Sequence, residues 1–140
     1  MQYEPTLSRG ELIALATKTY FGNVDAKNME ATLDCFHDEA LFCVQTAFTR
    51  HAGKAEIRRM FEDFFASYET IIHRDFNCTV DEANGRIAAS FIAELHDADG
   101  RVTLLNNTNF WRVRPNQPGD TAGARFQEVY VYMSGANVLT

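Results

Sequence analysis

Only three prolines, eight glycines and three cysteines are spread over 140 residues, so neither a low-complexity linker nor a disulfide framework is built into this chain. Cys35, Cys43 and Cys78 show no C-x-x-C spacing and read as small buried hydrophobes. Basic charge is also short. Thirteen Lys plus Arg against nineteen Asp plus Glu leave a net charge of −6, the wrong balance for neutralising phosphates, which excludes nucleic acid as a partner. The longest apolar runs, such as Leu12–Ala16 and Ala40–Val44, fall far below the roughly 20 residues that span a bilayer. Met1–Pro5 has neither the basic nor the apolar region of a leader, so a cytoplasmic protein with no membrane partner is expected. His37, His51, His73 and His96 lie far apart without metal-ligand spacing, and no metal is expected. What is abundant is core material: 46 % of residues are hydrophobic and eleven are Phe, enough for one domain over residues 1–140.

The first half has helical periodicity. Ser8-Arg9-Gly10-Glu11 fits a capping box opening a helix over 9–21, with Leu12, Ala16 and Tyr20 on one stripe. A second helix is predicted over 25–36, capped by Asp25 or Asn28, with His37 complementing its dipole. Ala40–Phe48 reads as a strand, and His51 is placed in the turn at Gly53 with a structural hydrogen bond. A third, long helix follows, burying Ile57, Met60, Phe61, Phe64 and Tyr68.

From Thr70 onward the pattern changes to four strands, 70–81, 86–96, 101–114 and 125–133. They are punctuated by Asn84-Gly85, Asp99-Gly100 and a Pro/Gly loop over 115–123. Helices first and an antiparallel meander afterwards define an α+β fold. Large side chains alternate on both faces of the last two strands, so the face turned away from the helices is expected to pack on a second copy, forming a homodimer. Asn107 and Asn109 share one strand face, which calls for either cross-strand partners or a wet cavity. Glu94, amid Ile92, Ala93 and Leu95, is either on a solvated face or buried with a raised pKa.

This order of elements, with Val24-Asp25, Phe36-His37-Asp38-Glu39-Ala40 and Gly53-Lys54-Ala55-Glu56-Ile57 at its junctions, resembles the nuclear transport factor 2-like superfamily. Within it the chain is similar to the SnoaL-like branch of ketosteroid isomerases, polyketide cyclases and scytalone dehydratases, from residue 8 to about residue 138. The resemblance implies a cone-shaped, curved, mostly antiparallel sheet wrapped around a long helix, a cystatin-like α+β barrel with three helices in the N-terminal half. It also implies an apolar cavity open at one end and a dimer through the sheet.

Laid on the ketosteroid isomerase pattern, Tyr20 and Asn109 fall on the oxyanion-hole positions, whereas Val44 falls on the catalytic aspartate and cannot accept a proton. The dehydratase and cyclase branches use histidines and carboxylates from the sheet, and the resemblance puts His73, Glu94, His96 and Asn107 on cavity-facing positions. His73 is then the base, and Phe61, Phe64, Trp111, Val131 and Met133 complete the walls around a small apolar ligand. The implied activity is a cofactor-free lyase, isomerase or cyclase acting on an apolar cyclic carbonyl compound. The alternative is a non-catalytic ligand-binding or accessory domain, like the small subunit of a ring-hydroxylating dioxygenase.

Overall fold

A computed structural model describes residues 7–115 and 124–140. The loop expected over 115–123 therefore lies outside the described residues, except for Pro115 at the end of a strand. Helix α1, Arg9–Ala14, carries the expected capping box: Ser8 Oγ accepts from the Glu11 N–H at 3.2 Å and Glu11 Oε1 from the Ser8 N–H at 3.1 Å. The helix widens into a π-helical stretch, Leu15–Tyr20, before α2, Phe21–Asp25. The cause is in the spacing. Buried Leu12, Ala16, Tyr20 and Val24 recur every fourth residue, and four residues overshoot an α-turn by about 40° each time. A wider stretch keeps all of them on the core side.

The second helix is shorter than expected. Lys27 adopts a left-handed φ of 55°, and α3 spans only Met29–Leu33, capped by the Asn28 side chain. Phe36 and His37 belong instead to strand β1, Phe36–Val44. His37 does not complement a helix end: its Nε2 meets the Arg114 carbonyl at 2.8 Å. Phe48, in the left-handed region at φ 53°, closes a hairpin to an unforeseen strand β2, Thr49–Ala52, so the strand expected over 40–48 is displaced toward the N-terminus.

Helix α4, Lys54–Ser67, buries Ile57, Met60, Phe61 and Phe64. Each such side chain contributes about 1.5–3 kcal/mol of burial. The meander follows as β3 (Thr70–Asp81), β4 (Arg86–His96), β5 (Val102–Pro115) and β6 (Ala124–Tyr132). The turn glycines Gly85 and Gly100 have φ of 61° and 81°, as their hairpins require.

The six strands form one curved sheet in the order β2-β1-β6-β5-β4-β3. All neighbours are antiparallel except β1 and β6, which run parallel. Along β4 and the part of β5 paired with it, residues alternate cleanly between the two faces. Ile87, Ala89, Phe91, Ala93 and Leu95 of β4 are buried on the helix side, paired with Trp111, Asn109, Asn107, Leu105 and Thr103 of β5. Val129 and Val131 continue the same face, while Phe110 and Tyr132 point outward and stay exposed.

Candidate functional site

Between the inner sheet face and the helices lies a small apolar cavity of about 20 Å³. It is lined by Tyr20, Phe21 and Val24 from the first helix, Phe61 and Phe64 from α4, and His73, Phe91, Asn107, Asn109, Val131 and Met133 from the sheet side. Tyr20, His73, Asn109, Phe61, Phe64, Asn107, Val131 and Met133 thus line one cavity.

His73 sits on β3 opposite Ala93, on the inner face, because the β3 bulge comes only after Arg74. Its ring is held on two sides. Phe21 stacks on it at a centroid distance of 4.1 Å, and Asp25 Oδ1 accepts from its Nδ1 at 2.5 Å. The other Asp25 oxygen accepts the His73 backbone N–H at 2.8 Å. With Nδ1 committed to Asp25, Nε2 is the ring nitrogen without a hydrogen-bond partner among the described residues. A carboxylate can only accept here, so it fixes the neutral tautomer with its proton on Nδ1. Sequence reasoning missed Asp25 by treating it as a helix cap. Its partner is 48 residues away, so no local spacing signals the pair.

Tyr20 is packed among the edges of Phe36, Phe61, Trp111 and Phe126. Burial pushes its hydroxyl pKa well above the ordinary tyrosine range, so it stays protonated and neutral. Asn107 and Asn109 are 6 % and 3 % exposed, and the Oδ1 of each is buried without a partner. Such an orphan costs about 1–3 kcal/mol. Neither oxygen has a cross-strand partner among the described residues, and both residues line the cavity.

Three expected wall residues lie elsewhere. Glu94 and His96 are on the outer sheet face, since β4 pairs with β5 without a bulge and its even positions all point away from the cavity. There His96 Nε2 and Arg74 Nη2 bind Glu94 at 2.7 Å and 3.1 Å, and these hydrogen bonds hold the Glu94 carboxyl below its usual range. Trp111 faces inward but packs between Tyr20 and Phe126, in the core rather than on the cavity wall. The remaining histidine, His51, makes the expected structural hydrogen bond, with Nε2 donating to the Leu139 carbonyl at 3.0 Å. Among the described residues no three His, Cys, Asp or Glu side chains converge as metal ligands, and no helix is long and apolar enough to cross a membrane.

No family model matches the chain, and no curated protein matches it. Solved structures do. A candidate polyketide cyclase of Xanthomonas campestris superposes with a TM-score of 0.72 at 19 % identity, covering 89 % of this chain and 90 % of that one. A candidate SnoaL-like polyketide cyclase of Shewanella denitrificans gives 0.74 at 12 % identity, covering 90 % and 92 %. PrhC of Penicillium brasilianum gives 0.72 at 20 % identity, covering 90 % and 82 %. At these identities the likeness shows the fold. The chain has the fold of these SnoaL-like and ketosteroid isomerase-like proteins.

Proposed function

We propose that this protein is a cytoplasmic, cofactor-free enzyme of the lyase, isomerase or cyclase type, acting on an apolar cyclic compound that bears a carbonyl. The observation that carries the reading is the Asp25–His73 pair set into an apolar cavity beside two asparagine side chains whose oxygens lack a partner. Nε2 of His73 takes the proton α to the carbonyl, the C–H electron pair becomes a C=C bond, and the C=O π pair moves onto the oxygen, giving the enolate. Tyr20 O–H and the Asn109 amide, turned to present its N–H, stabilise that oxygen in a site where water does not screen them. The imidazolium then returns the proton, to a leaving β-hydroxyl in a dehydration or to another carbon in an isomerisation.

A thermal-shift screen with steroids, hydroxynaphthalenones and aromatic polyketides tests this. A hit is expected that His73→Ala and Asn109→Ala both weaken; ligands indifferent to both variants would refute the assignment. The cavity's small volume favours one rival, an accessory domain whose cone stays closed, and the absence of any hit would support it.

The expected homodimer is part of the same proposal. Val102, Leu104, Phe110 and Tyr132 are 43–59 % exposed on the outer sheet face, with Phe110 and Tyr132 in edge-to-face contact. A second copy would cover them.

A further inference from the structure

The cavity has one wall that belongs to neither the sheet nor the helices. After β6 the chain is anchored by Met133, whose N–H donates to Thr46 Oγ1 at 3.2 Å, and by Ser134 Oγ, which accepts the Asn106 N–H at 2.8 Å. Ser134, Gly135 and Ala136 are then exposed, and the segment folds back so that Val138 and Leu139 line the cavity. Polar contacts hold it there. Arg59 Nη2 donates to the Thr140 carbonyl at 3.0 Å and to His51 Nδ1 at 3.3 Å, while the opposite nitrogen of His51 donates to the Leu139 carbonyl. Asn137 spans the gap, donating to Thr49 Oγ1 at 3.1 Å and accepting the Leu139 N–H at 2.9 Å.

We propose that residues 134–140 are a gate: Val138 and Leu139 close the cavity and set its size limit, and the Arg59–His51 pair is the latch. The inference rests on reading the cavity as a ligand site. Its physical ground is volume. About 20 Å³ holds a water molecule, whereas a benzene-sized ligand needs about 150 Å³. A ring therefore enters only if part of the wall leaves. Most of the wall is strand and helix tied into the sheet ladder and the core. Segment 134–140 is held by a few side-chain bonds and hinges at small exposed residues, so it opens at the lowest cost. Nothing in the latch touches His73, Tyr20 or Asn109, so gating and chemistry are separable.

The test follows 2-naphthol binding by stopped-flow fluorescence in wild type, Arg59→Ala and Leu139→Ala, together with amide hydrogen exchange of the ligand-free proteins. In Arg59→Ala, which loses two latch bonds, exchange in 134–140 is expected to quicken about tenfold while β6 is unchanged, and naphthol association to accelerate by a similar factor. Leu139→Ala is expected to bind naphthol more tightly. Unaltered exchange, or association at the wild-type rate despite faster exchange, overturns the gate. Faster exchange with no naphthol bound by any variant fails in a different way: it overturns the ligand-site reading, and the gate's role in entry falls with it.

Discussion

Replacing Asp25 by Asn probes the pairing on which the site depends. The substitution keeps size and shape and leaves one oxygen to accept the His73 backbone N–H, but it removes the charged acceptor of the 2.5 Å bond to Nδ1. Two charge-assisted hydrogen bonds become two neutral ones, each worth about half as much. Allowing for the 25 % exposure of the Asp25 side chain, the loss comes to about 1–2 kcal/mol. For a chain of this length that lowers Tm by about 4–7 °C. The functional consequence is larger. The new amide turns N–H toward Nδ1, which must then accept, so the ring proton moves to Nε2 and the base disappears. Proton abstraction is expected to fall on the order of 10³-fold while ligand binding persists. Nitrogen-15 NMR of the ring reads this directly, as a switch from the Nδ1–H to the Nε2–H tautomer, and urea denaturation reads the stability. A ring that keeps Nδ1–H in the variant, or an unchanged midpoint, would refute the role given to Asp25.

Other outcomes follow from the same geometry. Asn109→Leu removes an unpaired buried oxygen, so unfolding free energy is expected to rise by about 1 kcal/mol while ligand affinity falls at least about tenfold; a destabilised variant would mean the amide has a structural partner. Burial, reinforced by Asp34, pushes the Cys35 thiol up to about 11 from an ordinary 9. The unfolded chain therefore loses that proton first, and this contribution is full below about pH 9 and falls by about 2 kcal/mol as pH rises to 11. The raised Tyr20 hydroxyl acts in the same direction from about pH 10. Cys35→Ala should flatten the 9–11 segment of a urea midpoint-versus-pH curve, and an unchanged slope would remove Cys35 as its cause. Phe110→Glu places a charge on the exposed outer face and is expected to yield a monomer by sedimentation at micromolar concentration where wild type is a dimer; a monomeric wild type would rule the dimer out.

The arrangement of the meander was legible because its cues are local: apolar alternation, two Gly-ended hairpins and a strong helical face at Ile57–Phe64. The alternation of β4 also held the answer for Glu94 and His96. With Ile87, Ala89, Phe91, Ala93 and Leu95 all apolar, the even positions had to face outward. A positional correspondence with distant folds overrode that signal. Asp25 was not legible in the same way, because a helix-terminal aspartate is an ordinary cap and only the closing of the first helix onto β3 turns it toward His73. Strand β2 escaped notice as a four-residue edge strand without alternation. Val138 and Leu139 carry no pattern of their own, and their place in the wall depends on Arg59 and His51.

The most direct measurement is solvent-deuterium exchange at the carbon α to the carbonyl of a bound hydroxynaphthalenone, followed by proton NMR in D2O. It detects the first proton transfer whatever product the reaction goes on to make. Catalysed exchange in wild type, lost in both His73→Ala and Asp25→Asn, is the expected result. Bound ligand that exchanges no faster than in buffer, or exchange that survives His73→Ala, would contradict the assignment of His73 as the base.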